Sequence, residues 1–518
     1  MTFIRRNVWE LGGDWADQVL WYARGVAAMK ARALAKPTSW RFYAGMHGFN
    51  SARWQELGYL FPTDQPPSQA QFSTFWRQCQ HGSWYFLPWH RGYVLALEAN
   101  IRAEVVALNG PDDWALPYWN YFAPNEAALP PAFASPDWPD GVGDNPLFVE
   151  QRYGPNGDGD VFVPTNLVNL NALGDPDFTG VSSGGSPGFG GVDTGFSHNG
   201  PVHGGIETQP HDWVHGLVGG QDAQPPETVG AMADPRTAAL DPIFWLHHAN
   251  IDRLWASWNA DPVDPPHLDP SQPTWLQGPA SVGERAFCAP MPDGTTFTYT
   301  PGEMMNLEDL GYEYDDLTPA VAPVSPQDRL DRLGFEVPAE RTAEEGVAVP
   351  EETNVELVGA NDEMVPVVGS ESRTRVRLDA PARQRVADSL APSAAGDVEG
   401  VAAPDRVFLN LENVRGQSDA TAFRVYLGVG DEEDPAEHPE RLAGSIAPFG
   451  VSQASDFDDE HAGQGLTFVL EITDIVDQLH LEGGFDVDSL PVRIVPVRPI
   501  GRKSELSIGR ISIFRQGR

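Results

Sequence analysis

The stretch Asp241-Pro-Ile-Phe-Trp-Leu-His-His-Ala-Asn-Ile-Asp-Arg-Leu-Trp255 places two adjacent histidines inside an apolar run. Asp241 is a good helix cap and Pro242 suits a first helical turn, so the pattern predicts a helix over 241–258. Adjacent helical positions point about 100° apart, so His247 and His248 are not expected to face one metal. One is predicted to be a ligand and the other a packing or hydrogen-bonding neighbour. A core helix with satisfied histidines is the alternative interpretation.

Histidines upstream of this stretch favour a metal site over a plain core helix. His211 and His215 are four residues apart, a spacing that puts both imidazoles on one face of a helix. Together with one histidine of the 247–248 pair, they make three nitrogen ligands for a metal. A second set of three comes earlier in the chain, namely His47, His81 and His90.

These ordered motifs resemble those of the type-3 dicopper proteins, the family of tyrosinases, catechol oxidases and hemocyanins. The likeness covers residues 1–318 and rests on the order and spacing of the histidines and on the 241–255 stretch. By this resemblance, two copper ions are the implied cofactors and dioxygen is the co-substrate. The implied ligands of one copper are His47, His81 and His90, and those of the other are His211, His215 and His248. His247 would then lie next to the ligands without binding a copper ion itself.

The resemblance implies a copper-dependent oxidoreductase that oxidises o-diphenols to o-quinones and leaves open the ortho-hydroxylation of monophenols. Three neutral imidazoles per metal suit both Cu(I) and Cu(II). No acidic ligand appears in the set, which disfavours the carboxylate-rich di-iron and di-manganese sites. Two alternatives remain open on the same scaffold: an oxygen carrier of the molluscan hemocyanin kind and an o-aminophenol oxidase.

Cys79 lies two residues before His81. In fungal and molluscan relatives this Cys-x-His pattern accompanies a thioether between the sulfur and the histidine ring, so the resemblance implies the same bond here. An ordinary buried thiol and a disulfide to Cys288 are the alternatives.

Glu207 and Asp212 bear on which phenols react. Glu207 matches the acidic residue with which plant enzymes hold a water that deprotonates a monophenol; a charge that complements a helix dipole is the alternative. Asp212 stands where many tyrosinases have asparagine, and an ionised aspartate accepts but does not donate hydrogen bonds. Monophenol hydroxylation is therefore in doubt, whereas catechol oxidation is not.

Gly216 is too small to bind a substrate carboxylate; Arg236, or Met232 and Pro235, are candidates to line the entrance.

The predicted catalytic domain, residues 1–318, is mainly α: a four-helix-bundle dicopper core with long loops. Its helices are predicted near 14–34, 39–47, 70–79, 88–108 and 241–258. Long Pro- and Gly-rich connections, notably 123–165 and 173–206, are typical of functional walls or covers. Gly311-Tyr-Glu-Tyr-Asp315 resembles the Tyr-x-Tyr motif of plant and fungal members, with an ordinary edge strand as the alternative.

A linker is predicted over 319–352, followed by an all-β sandwich over 353–518. Short alternating segments separated by turn residues, from Val355 to Ile513, are typical of such a sandwich. This domain resembles the C-terminal domain that shields the copper site in latent polyphenol oxidases, which implies a zymogen. Phe449 is a candidate for the side chain that fills the site, and residues 378–404 for a cleavable loop.

The composition limits the partners of the chain. A net charge of −39 on 518 residues argues against binding to nucleic-acid phosphates or to anionic membranes. Two cysteines give no disulfide framework, and no apolar run reaches membrane-spanning length. Without a visible leader the cytoplasm is expected, with export by a partner or a removed leader left open. A small phenol is the expected substrate, and a copper-delivery or export partner stays open.

Overall fold

The protein is described here by a computed structural model covering residues 2–140, 143–198, 200–261, 266–318, 326–334, 354–391, 404–458 and 463–517. Its contacts divide the chain into two compact units. The first comprises Met1–Thr179, Phe189–Gly200 and Gly204–Val321, and the second comprises Gly180–Gly188, Pro201–His203 and Ala322–Arg518. Two short pieces of the 173–206 loop therefore group with the C-terminal region, which the sequence did not lead us to expect.

The first unit is mainly helical, which confirms the predicted fold class. In chain order its helices are α1 (Asp17–Lys30), α2 (Trp40–His47), α3 (Ser51–Glu56), α4 (Gln69–Phe75), α5 (Phe86–Ala107), α6 (Pro131–Ala134), α7 (Trp213–Gly219), α8 (Pro242–Ala260), α9 (Pro273–Gln277) and α10 (Leu307–Leu310). The strands before residue 319 are short pairs: β1 (Phe3–Arg5), β2 (Thr179–Gly180), β3 (Gly191–Val192), β4 (Phe287–Pro290), β5 (Thr296–Tyr299) and β6 (Tyr312–Tyr314).

All five helices predicted from the sequence are present, with shifted ends. The first begins at Asp17 and not at Asp14, because Ala16 occupies the cap position. The helix predicted over 70–79 ends at Phe75, since Trp76 is extended and Arg77 has a positive φ of 53°. Helix α4 therefore ends before the loop that carries His81, and the chain enters this loop in a non-helical conformation.

Helix α8 runs through the core of the first unit. Its cap is the predicted one: the Asp241 carboxylate accepts the backbone N–H of Ile243 at 3.0 Å, with Pro242 in the first turn. Arg152 holds that carboxylate with two hydrogen bonds of 2.7 and 2.6 Å. Every residue from Pro242 to Trp258 is buried, so both histidines of the helix lie away from solvent.

The buried carboxylate of Asp252 ties α8 to α5 and to the start of the chain. It accepts hydrogen bonds from Arg5 at 3.0 Å, from Arg91, and from the hydroxyls of Tyr312 and Tyr314 at 2.6 Å each. Parallel pairing of β1 with β6 places these groups side by side. The two tyrosines of the Tyr-x-Tyr segment are therefore buried anchors as well as strand residues.

The second unit is an antiparallel sheet with helices packed on it. Its strands are β7 (Asn354–Ala360), β8 (Val365–Pro366), β9 (Ser372–Leu378), β10 (Arg406–Arg415), β11 (Phe423–Leu427), β12 (Leu442–Ile446), β13 (Leu466–Glu471), β14 (Ser489–Pro496) and β15 (Ser507–Gly517). The order is β12-β11-β14-β9-β7-β15-β10-β13, with β8 beside β15. A side chain added at Gly444 in β12 would meet Leu470 of β13 at 2.8 Å, so the sheet curls until its ends approach.

The predicted all-β character of this region is confirmed, although its strands form one curled sheet. It also carries α11 (Pro326–Arg332), α12 (Ala380–Leu390), α13 (Val451–Ala454) and α14 (Thr473–Leu481). Most of the predicted linker 319–352 and residues 392–403 of the predicted cleavable loop lie outside the described residues. Phe449 is buried within this unit.

The two loop pieces in the second unit are held by hydrogen bonds that backbone N–H groups donate. The N–H of Thr467 in β13 donates to the carbonyl of Pro201 at 2.6 Å. The N–H of Ser186 donates to the side-chain oxygen of Gln516 in β15 at 2.7 Å. Among the described residues, no helix is both long enough and apolar enough to cross a membrane.

Candidate metal centre

The first predicted set of histidines comes together from three places in the chain. His47 is the last residue of α2, His81 lies in the loop before α5, and His90 lies in the second turn of α5. Their ring centroids are 5.2 Å apart for His47 and His81, 5.7 Å for His47 and His90, and 5.5 Å for His81 and His90. All three are buried.

The second set is equally compact. His211 lies in the distorted helical turn Glu207–Asp212, His215 in α7 and His248 in α8. The centroid of the His211 ring is 4.5 Å from that of His215 and 5.0 Å from that of His248. The Nε2 atoms of His215 and His248 are 3.3 Å apart, a distance at which both can bind a common ion.

The two sets adjoin each other. The rings of His90 and His248 are nearly parallel, with centroids 4.4 Å apart. His81 and His211 approach to 5.7 Å. The structure therefore brings all six histidines predicted from the sequence into one cluster made of two neighbouring groups.

Backbone carbonyls fix the orientation of three of these rings. The Nδ1–H groups of His47, His90 and His215 donate to the carbonyls of Pro235 (2.9 Å), Phe86 (2.8 Å) and Met232 (2.8 Å). With Nδ1 engaged, each ring presents Nε2 to the cluster. Metal-binding histidines usually have their second nitrogen held in this way.

Burial keeps the rings neutral. Desolvation lowers the pKa of His47 to about 3 and lowers the pKa of His90, His215 and His248 well below the ordinary value. A neutral imidazole is the form that binds a metal, whereas a protonated ring repels it.

The nitrogen atoms in the cluster fit copper. Among the described residues, Nε2 of His47, of His90 and of His247 and Nδ1 of His248 have no hydrogen-bond partner, although all are buried. A buried polar atom without a partner costs about 1–3 kcal/mol, so several in one cluster indicate a ligand that the nitrogens share. Imidazole-only sites suit copper, and no carboxylate replaces a nitrogen in either set.

His247 lies closer to the site than the helix geometry led us to expect. Its ligand atom, with those of His211, His215 and His248, lies in a group whose members are all within 4.8 Å of one another. The Cβ atoms of adjacent helical residues diverge, but their ring nitrogens lie far enough out to converge. Tyr121 lies 3.3 Å from the His247 Nδ1. The choice of His248 over His247 as ligand stays a prediction.

Glu207 supports the loop that carries His81. Its two carboxylate oxygens lie 3.0 and 2.9 Å from the backbone nitrogen of Gly82, whose N–H donates to them. Gly82 has a φ of +56°, and a side chain there would meet the backbone of Gly200 at 2.2 Å. The residue following His81 is therefore restricted to glycine, and its N–H is anchored by a buried acid.

Asp212 faces the ligand beside it. The Nδ1–H of His211 donates to the Asp212 carboxylate at 2.9 Å, and both side chains are fully buried. Burial raises the pKa of Asp212 well above its usual range. The sequence led us to consider Asp212 as a partner of a water molecule; the structure shows that one of its oxygens is engaged by His211.

Cys79 is buried beside the first set. Its sulfur lies 3.5 Å from Nδ1 of His81 and 3.3 Å from Nδ1 of His198, a residue that the sequence analysis did not single out. No disulfide joins Cys79 to Cys288, both of which the structure describes. The thioether to His81 stays a prediction, and the proximity of the two side chains is compatible with it.

The loop around residues 232–236 orients two of the clustered histidines through its backbone carbonyls. The sequence suggested Arg236, Met232 and Pro235 as entrance residues. The structure shows that the Met232 carbonyl orients the ring of His215 and the Pro235 carbonyl orients the ring of His47. Arg236 pairs with Asp234 at 2.8 Å. Phe244, one turn before His248, also packs on the rings and was missed; its centroid is 4.1 Å from that of His248.

Comparison with known proteins identifies the family. Residues 37–261 match the common central domain of tyrosinase, and residues 354–516 match a domain of unknown function, DUF7868. The chain is similar to the tyrosinase HcTyr1 of Hahella sp. (strain CCB-MM4), with 32% identity over 98% of each chain. It is also similar to a chloroplastic polyphenol oxidase of Malus domestica, with 25% identity over 92% of this chain and 72% of the relative.

Solved structures show the same fold. Latent apple tyrosinase gives a TM-score of 0.59 at 21% identity, covering 99% of this chain and 97% of the other. Recombinant latent aurone synthase, a polyphenol oxidase, gives a TM-score of 0.58 at 19% identity, covering 100% and 90%. With the histidine cluster and the full-length match to a tyrosinase, we conclude that this chain belongs to the tyrosinase family of copper-dependent oxidoreductases.

Proposed function

We propose that the chain is a latent polyphenol oxidase that uses two copper ions and dioxygen to oxidise o-diphenols to o-quinones. The observation that carries this is the pair of adjoining histidine groups, buried and neutral. One copper ion would be held by His47, His81 and His90, and the other by His211, His215 and His248. Family membership implies the dicopper site, and the ring geometry supports this division of ligands.

The bound copper pair would supply two-electron oxidation with dioxygen as the acceptor. The chain's own contribution is to hold the rings in place. Carbonyls at 86, 232 and 235 fix ring orientation, and burial excludes water and keeps the imidazoles unprotonated. Preorganised ligands of this kind need little rearrangement when the metal changes oxidation state.

Glu207 and Asp212 are proposed to govern the reaction with monophenols. A monophenol must lose its phenolic proton, and a carboxylate within reach of the site is a suitable acceptor through a water molecule. Glu207 sits beside the His81 loop, one turn before His211. Asp212 is engaged by His211, and while it is ionised it lacks the donor that an asparagine offers. We therefore expect diphenol oxidation to exceed monophenol hydroxylation.

Latency is supported by the fold and by the relatives. The solved structures that match 99% and 100% of this chain are described as latent forms, and this chain has a folded C-terminal unit of its own. We expect full-length protein to be slow and a form trimmed within 319–400 to be fast.

A substrate panel on copper-loaded protein tests the proposal. We expect two copper ions per chain and yellow quinone from 4-methylcatechol, faster after trimming. His90→Gln should lower both copper content and rate. His267→Gln is the matched control, because His267 is buried outside the cluster and bonds to the Trp258 carbonyl at 3.0 Å.

The same panel separates the alternatives. A reversible blue oxygenated form without turnover, even after trimming, would identify an oxygen carrier. Preference for o-aminophenol over catechol in parallel assays would identify the aminophenol oxidase. A single copper ion per chain would overturn the dicopper assignment.

A further inference from the structure

The basic residues of this chain are almost all arginines. Only three of its 34 basic side chains are lysines, namely Lys30, Lys36 and Lys503, and it has two cysteines. Side-chain amines and thiols are thus scarce in the whole sequence.

Three of these five side chains are partly or fully buried. The Nζ of Lys30 donates to the carbonyl of Pro146 at 2.7 Å and lies 6.0 Å from the ring centroid of Trp40, inside the first unit. Cys79 and Cys288 are 1% and 5% exposed. Lys36 and Lys503 alone among these five residues are exposed.

Several exposed arginines occupy places that a lysine would serve equally well. Arg377 meets Asp362 through one contact of 3.0 Å, with 74% and 68% of the two side chains exposed. Arg375 is 3.6 Å from Asp431, also in solvent. Exposed pairs of this kind need only a point charge and contribute little to stability. Arg24 is different, because it grips both oxygens of Asp140.

The chemical difference between the two residues lies in nucleophilicity. A guanidinium keeps its proton in proteins, whereas a lysine with a pKa of about 10.4 always offers a fraction of free amine. An o-quinone is an electrophile. When an amine adds to its ring, one carbon–nitrogen bond forms, the amine proton moves to a ring oxygen, and the ring becomes a catechol again. No further oxidant or reductant is required.

We propose that product o-quinones modify this protein at Lys36 and Lys503, and that the rest of its exposed surface lacks the lysine and cysteine side chains through which quinones attach. The proposal rests on the proposed function, since the enzyme itself would generate the electrophile. A surface of this composition leaves the chain resistant to cross-linking by its own product. On a protein with many exposed lysines, the proposed activity with dioxygen would oxidise the attached catechol back to a quinone, and an amine of a second molecule would then add to it.

A quinone supplied from outside tests the sites independently of catalysis. Copper-loaded full-length protein would be treated with separately prepared 4-methyl-o-benzoquinone at pH 7.5 and mapped by peptide mass spectrometry. We expect adducts at Lys36 and Lys503, and labelling at least about tenfold lower at Cys79 and Cys288, where reaction requires a local opening. Comparable labelling of Cys79 or Cys288 in the folded protein would overturn the proposal.

Arginine–lysine exchanges provide the matched variants. The double variant K36R/K503R should lose the lysine adducts, and R375K/R377K should gain adducts at both new lysines, since these side chains are exposed and distant in sequence from the histidines. If the two introduced lysines of R375K/R377K stay unlabelled, exposure and amine chemistry do not decide where the quinone attaches, and the proposal fails.

A second arm uses turnover with 4-methylcatechol. Covalent multimers on denaturing gels should increase several-fold in R375K/R377K relative to the parent chain and decrease in K36R/K503R. If external quinone labels the expected lysines but turnover yields no quinone, the proposed function fails and the modification sites stand. If quinone forms and attaches elsewhere, the modification proposal fails.

Discussion

Glu207 accepts the backbone N–H of Gly82 with both carboxylate oxygens, at 3.0 and 2.9 Å, although 125 residues separate the two in the chain. Through this contact an acid that precedes the second set of histidines holds the loop that carries a member of the first. The two halves of the proposed copper site are thereby joined without any metal. The contact also gives Glu207 a structural role besides its proposed role toward phenols.

Replacing Glu207 should separate these two roles. Glu207→Gln keeps one oxygen for the Gly82 N–H, so copper content should be retained while monophenol hydroxylation falls more than diphenol oxidation. Glu207→Ala leaves a buried N–H without its acceptor and should cost about 1–3 kcal/mol of stability, with copper lost from the first set. Copper analysis with monophenol and diphenol rates measures both effects. Equal loss of both rates in Glu207→Gln, at full copper content, would contradict the assignment.

Asp212 variants test how the His211 ring is held. Asp212→Asn keeps an oxygen acceptor for the His211 Nδ1–H and adds a donor, so copper should remain bound and the ratio of monophenol to diphenol rates should increase. Asp212→Ala removes the acceptor and should weaken copper binding about 10–100-fold. Competition with a chelator of known affinity measures the difference. Unchanged copper affinity in Asp212→Ala would show that the hydrogen bond does not position the ring.

Asp252 should be among the most sensitive positions outside the histidines. Asp252→Asn removes the charge shared by Arg5 and Arg91; Arg5 keeps Glu98 at 2.6 Å, but the buried guanidinium of Arg91 loses its carboxylate, which should cost about 3–5 kcal/mol in the free energy of unfolding. Asp316→Asn is the control: Asp316 pairs with Arg253 at 3.5 Å but is half exposed, so its loss should cost less than about 1 kcal/mol. Urea denaturation of the apo protein measures both. Similar costs for the two variants would show that burial is not what makes Asp252 important.

Local pattern was sufficient to predict much of this molecule. The Asp241 cap and the helical path of α8 follow from residue type and spacing, because caps depend on neighbours in the chain; the choice of the six histidines as ligands came from the family resemblance. The alternation after residue 354 likewise predicted strands. What local pattern did not predict is the end of α4, where positive φ at Arg77 follows from the path that the chain takes towards Cys79.

The contacts that orient the site depend on tertiary structure. The carbonyls of Met232 and Pro235 act through the backbone, so no side-chain pattern marks them. The pairing of Glu207 with Gly82 and the approach of His198 to Cys79 join residues more than 100 positions apart. The inclusion of 180–188 and 201–203 in the second unit depends on strand partners far along the sequence.

Lys30 should lower the stability of the fold at neutral pH. Burial lowers its pKa from 10.5 to about 8, so below pH 8 the folded state retains a charged amine in a poorly solvated place. Lys30→Met should then raise the free energy of unfolding by about 1–2 kcal/mol at pH 7. Between pH 8 and 10 the folded state loses the proton before the unfolded state does, so the parent chain gains stability and the difference shrinks. Lys36→Met, at an exposed site, should change little at either pH. A difference that stays constant from pH 7 to 10 would contradict this origin.

The buried histidines should make the copper-free protein sensitive to acid. Burial lowers the pKa of His247 to about 3, whereas an unfolded histidine has a pKa of about 6.5, so between these values the unfolded state binds one more proton. The free energy of unfolding must therefore fall as pH drops below about 6.5, by up to about 1.4 kcal/mol per pH unit for each such histidine. His247→Gln removes one of these protons and should flatten the slope between pH 6 and 4 by about 1 kcal/mol per pH unit. Denaturation curves of the apo proteins at pH 7, 6, 5 and 4 give the slopes directly.

Copper binding competes with the same protons, so copper-loaded protein should keep its stability to lower pH than apo protein. If the stability curves of the two forms coincide, His247 and its neighbours lie outside the metal centre.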